Sequence, residues 1–175
     1  MTGSVSKGDE LRGLSVVVMT VSDSAARGER KDESGPAAIR LLEERGATIA
    51  GSEVVADKQG EISERLKWWI REPSVDVVLT TGGTGVAPTD VTPEATEQVC
   101  DRLIPGIGEL MRSISIAKTP HAALSRALAG SAQQTLIINL PGSPGGVRDC
   151  IEAVAGLLPH AVKLIKAQPS EHLQT

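Results

Sequence analysis

The chain contains no phenylalanine and no tyrosine, and Trp68 and Trp69 are its only aromatic residues. Proteins that bind single-stranded nucleic acid usually stack the bases on aromatic side chains, so the composition argues against that class. The net charge of -4 at pH 7 also lacks the basic excess that nucleic-acid binding requires. We therefore expect no nucleic-acid partner and a hydrophobic core built from valine, isoleucine, leucine and alanine.

Cysteine and long apolar segments are equally scarce. Cys100 and Cys150 stand far apart and form no CxxC pair, and residues 1–13 are polar, unlike a secretory signal. No stretch approaches the roughly 20 apolar residues of a membrane-spanning helix. The three histidines have neither metal-ligand spacing nor a nucleophile partner. We expect reduced thiols, a cytoplasmic location and no membrane partner.

The length of 175 residues fits one domain. Apolar runs rich in β-branched residues alternate with amphipathic segments, which predicts a three-layer α/β sandwich around a mostly parallel sheet. The domain is placed at 14–167, between flexible tails at 1–13 and 168–175. The predicted strands are 14–21, 47–56, 75–81 and 135–140.

The amphipathic segments predict the helices of the sandwich. Ser34 and Thr92 are the expected N-caps of two of them, and Pro159 is expected to kink or break the last one. The predicted helices are 35–45, 61–72, 93–103, 106–118 and 147–166, with a short helical turn at 121–128.

The ends of the predicted strands hold nearly all the unusual residues of the sequence. Ligands of open α/β sheets bind at the carboxyl ends of the strands, so we expect these segments to converge on one edge of the sheet. They are 22–24, 57, 82–85 and 141–146.

Thr81-Gly82-Gly83-Thr84-Gly85 directly follows a buried strand. Glycine lets the backbone turn sharply and bring N–H groups close to an anion, and threonine hydroxyls add donors. The segment is neither a Walker loop nor the dinucleotide fingerprint. Judged from these residues alone, phosphate binding and a tight strand-to-helix turn are equally good interpretations.

Two aspartates lie beside this loop in the predicted fold. Asp57 ends a strand, and Asp90 stands just before the expected N-cap Thr92. Each alone fits a turn, but together they fit Mg²⁺, which takes one or two protein carboxylates plus substrate phosphates. That arrangement is what nucleotidyl transfer requires.

Two further features have both a functional and a structural interpretation. Arg126 could donate two hydrogen bonds to a phosphate, although an exposed arginine is the commoner case. Pro141, Gly142 and Ser143 open the last helix, and they fit either an anion site at its N-terminus or a rigid turn.

Taken together and in order, these segments resemble the molybdopterin adenylyltransferase family (MogA and related domains of fusion proteins). The resemblance extends over 14–166. The matching segments are 21–23, 34–36, 57, 81–85, 90–95, 105–106, 124–126 and 139–142.

The resemblance implies a Rossmann-like fold, a homo-oligomer that is a trimer rather than a hexamer, and Mg²⁺-dependent reaction of molybdopterin with ATP. The products are adenylyl-molybdopterin and pyrophosphate, and other proteins of the molybdenum-cofactor pathway are candidate partners. Asp57 and Asp90 match the essential aspartates, as catalytic and metal-binding residues, and Ser125 matches a pterin-binding serine. The other predicted substrate-binding residues are Ser22, Asp23, Thr81, Gly82, Gly83, Thr84, Gly85, Arg126, Pro141, Gly142 and Ser143.

Three alternatives stay open at this point. A MoaB-type molybdopterin-binding protein would have the same fold with little or no activity, but such proteins often lack an aspartate, whereas Asp23, Asp57 and Asp90 are all present. The molybdate-inserting transferase carries large extra domains, for which 175 residues leave no room. A non-catalytic pterin-binding scaffold would keep the glycine loops and tolerate loss of either catalytic aspartate.

Overall fold

The structure, a computed structural model, describes residues 8–166 of the chain. Its strands are β1 (Ser15–Val21), β2 (Thr48–Val55), β3 (Val77–Thr81), β4 (Arg102–Leu103), β5 (Ala129–Ala132) and β6 (Thr135–Leu140). Its helices are α1 (Asp23–Ala26), α2 (Ser34–Glu43), α3 (Gln59–Ile70), α4 (Thr92–Val99), α5 (Pro105–Ile116), α6 (Pro144–Val154) and α7 (Leu158–Lys166). Short 3-10 turns lie at Pro120–Leu124 and Ala155–Leu157.

The strands form one sheet in the order β2-β1-β3-β6-β5-β4. The first four in this order run parallel, whereas β5 is antiparallel to β6 and β4 is antiparallel to β5. Both faces of the sheet are covered, as expected for parallel strands rich in valine and isoleucine. The prediction of an α/β sandwich with a mostly parallel sheet is confirmed.

Alternate residues of β1 enter two separate cores because successive side chains of a strand point to opposite faces. Val16 and Val18 pack with residues of α2, α5, α6 and α7. Val17 and Met19 pack with residues of α3 and α4. After β1 and β6 the chain therefore enters the helix layer on one face of the sheet. After β2 and β3 it enters the layer on the other face.

The antiparallel edge of the sheet was not predicted. Residues 93–103 were expected to form one helix, but α4 ends at Val99 and Arg102–Leu103 pairs with β5. The helical turn expected at 121–128 is present as the 3-10 turn Pro120–Leu124, which ends before β5. The sequence of β5, Ala-Gly-Ser-Ala, contains no β-branched residue, so it gives no local strand signal. Its strand conformation comes from pairing with β6 across a turn where Gln133 adopts a φ of 52°.

Two predictions about helix ends were wrong. Ser34 and Thr92 are the first residues of α2 and α4 rather than their N-caps. The Asp32 carboxylate accepts the Gly35 N–H at 3.1 Å, so it takes the place that a capping side chain would fill. The predicted break of the last helix is confirmed. The helix is interrupted at Ala155–Leu157, four to two residues before Pro159, which lies in the first turn of α7, where its missing N–H costs nothing.

Residues 8–13, which the sequence assigned to a flexible tail, are packed on the domain. Leu11 is fully buried, its N–H donates to the Arg45 carbonyl at 2.8 Å, and Glu10 forms an ion pair with Arg45. The apolar Leu11 side chain explains the difference. Residues 1–7 and the predicted tail at 168–175 lie outside the described residues. Within 8–166, no helix is both long and apolar enough to cross a bilayer.

Candidate functional site

The carboxyl ends of the four parallel strands meet at one edge of the sheet, which we call the rim. Ser22 N donates to Val55 O at 2.9 Å, which joins the ends of β1 and β2. Gly82 N donates to Leu140 O at 3.2 Å, which joins the ends of β3 and β6. The predicted convergence of these segments is confirmed.

Asp23 and Asp57 hold each other through a reciprocal pair of hydrogen bonds. Asp23 N donates to Asp57 Oδ2 at 2.7 Å, and Asp57 N donates to Asp23 Oδ1 at 2.9 Å. A Cβ placed on Gly83 would lie 3.2 Å from Asp57 Oδ1, so this second oxygen faces the glycine loop. The pair fixes the Asp57 carboxylate and leaves Oδ1 available to a ligand.

Burial raises the pKa of Asp57 because it penalises the charged form. The N–H of Asp23 acts in the opposite direction, whereas the charges of Asp23 and Asp90 add to the increase in the Asp57 pKa. Asp90 is thus close enough to act electrostatically on Asp57. The rim therefore has an acidic side, made of Asp23, Asp57 and Asp90, where a cation would relieve the repulsion.

The glycine loop is held in an unusual conformation before any ligand binds. Gly82 and Gly83 have φ values of 102° and 63°, a region that disfavours side chains. Thr92 Oγ1 donates to Gly82 O at 2.9 Å, and Thr92 N donates to Gly83 O at 3.1 Å. Thr92 is fully buried, so it is a structural support of the loop, a role that the sequence did not reveal.

Asp90 closes the turn that follows the loop. Its Oδ2 accepts the Ala87 N–H at 2.9 Å, and a Cβ on Gly85 would lie 2.7 Å from the same oxygen. One oxygen of Asp90 is therefore tied to the backbone, as in Asp57. Each predicted catalytic aspartate combines a fixed oxygen with a second oxygen that makes no hydrogen bond to the described residues.

Arg126 contacts the protein itself. Nε donates to Gly85 O at 2.7 Å, Nη2 donates to Asp90 O at 2.5 Å, and the guanidinium forms an ion pair with Glu94. The backbone N–H of Arg126 donates to Thr84 O at 2.8 Å. The sequence assigned Arg126 to substrate binding, but in this arrangement its donors hold the glycine loop, the Asp90 turn and α4 together.

A double-mutant cycle tests this positioning role. Arg126→Lys and Glu94→Gln are each expected to lower kcat about 10- to 100-fold with little change in the KM for ATP, because they loosen the Asp90 turn. Since the two side chains act as one unit, the double variant should be little worse than Arg126→Lys alone. The measurement is the steady-state rate of the adenylyl transfer that the sequence resemblance implies. Glu64→Gln, in an exposed pair with Lys67, is the matched control.

Direct binding of phosphate by Arg126 predicts a different result. Arg126→Lys would then raise the KM for ATP, and Glu94→Gln, which frees the guanidinium, would lower it or leave it unchanged. That pattern would contradict the positioning role.

Two cavities open at the rim, and most of the other predicted residues line them. The first cavity, about 170 Å³, lies between the ends of β1, β3 and β6. It is lined in part by Ser22, Thr81, Gly82 and Gly142. The second cavity, about 200 Å³, lies between α5 and α6 and has a mainly apolar wall. The predicted residues Ser125, Pro141 and Ser143 contribute to its lining.

Among residues 8–166, no three or more histidine, cysteine, aspartate or glutamate side chains are grouped so that they could hold a metal ion. The oxygens of Asp57 and Asp90 fit the alternative arrangement, in which Mg²⁺ takes one or two protein carboxylates and completes its shell with substrate oxygens. A cation bound on the acidic side would therefore depend on the substrate for its remaining ligands.

Comparison with known proteins gives a consistent result. Residues 17–160 match the model of a family described as a probable molybdopterin binding domain. The chain is 43% identical over 157 residues to the molybdopterin adenylyltransferase of Helicobacter pylori, with 89% of each chain covered. It is 42% identical to the molybdenum cofactor synthesis protein cinnamon of Drosophila melanogaster, and it spans 26% of that protein's length.

The fold also matches a solved structure. The molybdopterin biosynthesis enzyme MoaB of Thermus thermophilus superposes with a TM-score of 0.83 at 46% sequence identity. The match covers 90% of this chain and 99% of the Thermus chain. Relatives named as adenylyltransferase and as MoaB are thus both similar to this chain over most of its length.

Proposed function

The chain belongs to the family of probable molybdopterin binding domains, and we propose that it transfers an adenylyl group from ATP to the phosphate of molybdopterin. An oxygen of the molybdopterin phosphate forms a bond to the α-phosphorus of ATP. The bond from that phosphorus to the bridging oxygen breaks, and pyrophosphate leaves. The protein thereby acts in molybdenum cofactor biosynthesis, as the similarity to the Helicobacter enzyme supports.

One observation carries the proposal: two aspartates with fixed carboxylates flank a glycine loop that is already bent. Asp57 and Asp90 each have one oxygen held by a backbone N–H and a second that can take a ligand. In phosphoryl chemistry the protein contributes mainly by positioning the reacting groups and stabilising charge. A preorganised loop and two oriented carboxylates are the groups that this chemistry needs.

Mg²⁺ is the metal that suits these oxygens, and when bound it neutralises charge on the phosphates and on the departing pyrophosphate. Asp57 and Asp90 would hold it through their free oxygens. Gly82 and Gly83 allow the phosphates of ATP to approach the backbone closely, because no side chain projects from either residue. Thr92 donates hydrogen bonds to the carbonyl groups of both Gly82 and Gly83, and so fixes the direction of the loop.

We further propose that the molybdopterin contacts the second cavity, where Ser125 lies beside an apolar wall. An apolar cavity with a few polar groups at its edge suits a flat heterocycle. We propose a homo-oligomer as well, a trimer rather than a hexamer. The exposed apolar side chains of Val86, Leu103 and Leu124 support an association surface.

A MoaB-type protein that binds molybdopterin without turnover is the second candidate, because the Thermus structure of similar fold carries the name MoaB. One assay separates the two. Purified protein is mixed with molybdopterin, ATP and Mg²⁺, and both pyrophosphate and adenylyl-molybdopterin are measured over time. We expect the two products to form in equal amounts. Binding of molybdopterin without either product would favour the second candidate.

A further inference from the structure

The cations around the rim differ in whether they have a carboxylate partner. Arg27 pairs with Glu29 at 2.8 Å, and Lys58 pairs with Glu61 at 2.8 Å. Arg126 and Lys118 pair with Glu94 and Asp149, respectively. Arg30 and Lys31 occur in none of the ion pairs formed by residues 8–166, although both line the first cavity.

The remaining lining of the first cavity is mostly polar. Besides the two cations, the lining includes four residues with side-chain hydroxyls and two glycines: Thr20, Ser22, Ser34, Thr81, Gly82 and Gly142. The volume of about 170 Å³ is below the roughly 300–1,000 Å³ of pockets that enclose a whole drug-sized ligand. The cavity thus has the size for one small polar group, such as a phosphate. The hydroxyl hydrogens of Thr20, Ser34 and Thr81 are used within the protein, so Arg30 and Lys31 are the donors that remain for such a group.

Two carboxylates, Asp32 and Glu33, also line this cavity, and their charge must be considered. Asp32 Oδ2 accepts from Thr20 Oγ1 at 2.7 Å, and Asp32 Oδ1 accepts from Ser34 Oγ at 3.2 Å and from Gly35 N at 3.1 Å. These three hydrogen bonds orient the Asp32 carboxylate toward the wall of the cavity. Glu33 is exposed to solvent, as are Arg30 and Lys31, so solvent screens all three charges. Neither carboxylate pairs with Arg30 or Lys31.

The two glycines of the loop face different groups at the rim. Gly82 lines the first cavity, whereas Gly83 faces Asp57 and Thr92. In adenylyl transfer the attacking and leaving oxygens lie roughly in line, on opposite sides of the α-phosphorus. With the pyrophosphate end of ATP on the acidic side, the attacking phosphate must approach from the side of the first cavity.

We infer that the first cavity is the binding site for the attacking phosphate of the acceptor, and that Arg30 and Lys31 bind this phosphate. The assignment of this phosphate to the acceptor rests on the proposed adenylyl transfer. The cavity and its cations exist independently of that reaction. Charge-assisted hydrogen bonds from these side chains hold the phosphate monoester. Its attacking oxygen then points past Gly82 toward the α-phosphorus of ATP.

Substitution of the two cations tests the inference. The double variant Arg30→Gln/Lys31→Gln is expected to raise the KM for molybdopterin roughly 10-fold, because two charge-assisted contacts are lost. The KM for ATP and kcat should stay within about twofold of wild type. Arg40→Gln, an exposed cation on α2 outside the cavity lining, is the matched control and should change neither KM.

A binding measurement makes the inference independent of turnover. Inorganic phosphate is titrated into the protein and followed by calorimetry; the double variant should bind it roughly 10-fold more weakly than wild type. The charge-preserving variant Arg30→Lys/Lys31→Arg should restore most of the affinity. Equal phosphate binding by wild type and the double variant would overturn the inference while leaving the proposed reaction intact.

The same variants distinguish the acceptor phosphate from the nucleotide. An increase in the KM for ATP, with that for molybdopterin unchanged, would also overturn the inference, because the cations would then bind the nucleotide phosphates. If wild type forms no adenylyl-molybdopterin, the proposed function fails, and the phosphate titration still decides whether the first cavity binds phosphate.

Discussion

Asp57→Asn and Asp90→Asn are each expected to reduce adenylyl transfer by at least about 100-fold while molybdopterin binding persists. Asparagine keeps the shape of the side chain and one carbonyl oxygen, so the Asp23 and Ala87 N–H groups retain their acceptors. Each substitution removes the negative charge that would hold a cation. The measurement is kcat at saturating ATP and Mg²⁺, together with a direct molybdopterin binding assay.

Asp9→Asn is a suitable control, because Asp9 pairs with Arg12 on the surface away from the rim. It should leave both turnover and binding unchanged. Wild-type turnover in both rim variants would remove the two-carboxylate mechanism. Loss of molybdopterin binding in either variant would show instead that the substitution disrupts the site as a whole.

The Asp57 variant should also be at least as stable as wild type at pH 7. The folded protein raises the pKa of Asp57 above its ordinary value, mainly by burial. This carboxyl therefore favours the folded state when it is protonated, at pH values below its unfolded pKa. The contribution is lost as the pH rises through the higher folded pKa. At pH 7 ionised Asp57 opposes folding, and Asp57→Asn removes that opposition.

Thermal unfolding at several pH values measures this effect. We expect the melting temperature of Asp57→Asn to equal or exceed that of wild type at pH 7, with a smaller difference in acid. A lower melting temperature at pH 7 would mean that the hydrogen bonds between residues 23 and 57 need the carboxylate charge. Stability and activity would then decrease together, rather than in opposite directions.

The sequence was sufficient to predict the elements that position the site. The runs at 14–21 and 135–140 are rich in valine, isoleucine and leucine, which is a local signal that does not depend on tertiary contacts. They form β1 and β6. The β5 strand carries no such signal, because its conformation depends on pairing with β6. Prediction succeeded where the local pattern and the tertiary structure agree, and it failed where only the tertiary partner determines the structure.

The same distinction applies to the site. Asp57 and Asp90 could be placed at the rim from local signals, because Asp57 directly follows a predicted strand and Asp90 directly precedes a predicted helix. The roles of Thr92 and Arg126 depend on contacts with residues 10 and 41 positions away along the chain, which no local pattern encodes. The reciprocal pair of Asp23 and Asp57 spans 34 positions. Sequence reasoning placed these residues at the rim, but it did not predict what each one contacts.

Gly82→Ala is expected to destabilise the protein by about 2–4 kcal/mol and to abolish most of the turnover. A Cβ on Gly82 would lie 2.3 Å from Val21 O, and the φ of 102° is strained for any side chain. The positive φ alone costs more than about 1 kcal/mol, and the clash with backbone adds about 1–3 kcal/mol. Relief of the clash must move the end of β1 or the loop itself, and either movement displaces the groups that we propose to hold the phosphates.

Gly60→Ala is the matched control, because a Cβ on Gly60 meets nothing within 4 Å and the residue lies in the first turn of α3. Alanine is the better helix former, so this variant should be neutral or more stable by up to about 1 kcal/mol. Denaturant unfolding gives the change in free energy for both variants, and the adenylyl-transfer assay gives the change in activity. If Gly82→Ala matched Gly60→Ala in both measurements, the left-handed bend would be dispensable. The rim would then position phosphate without it, and the argument that links loop conformation to catalysis would fail.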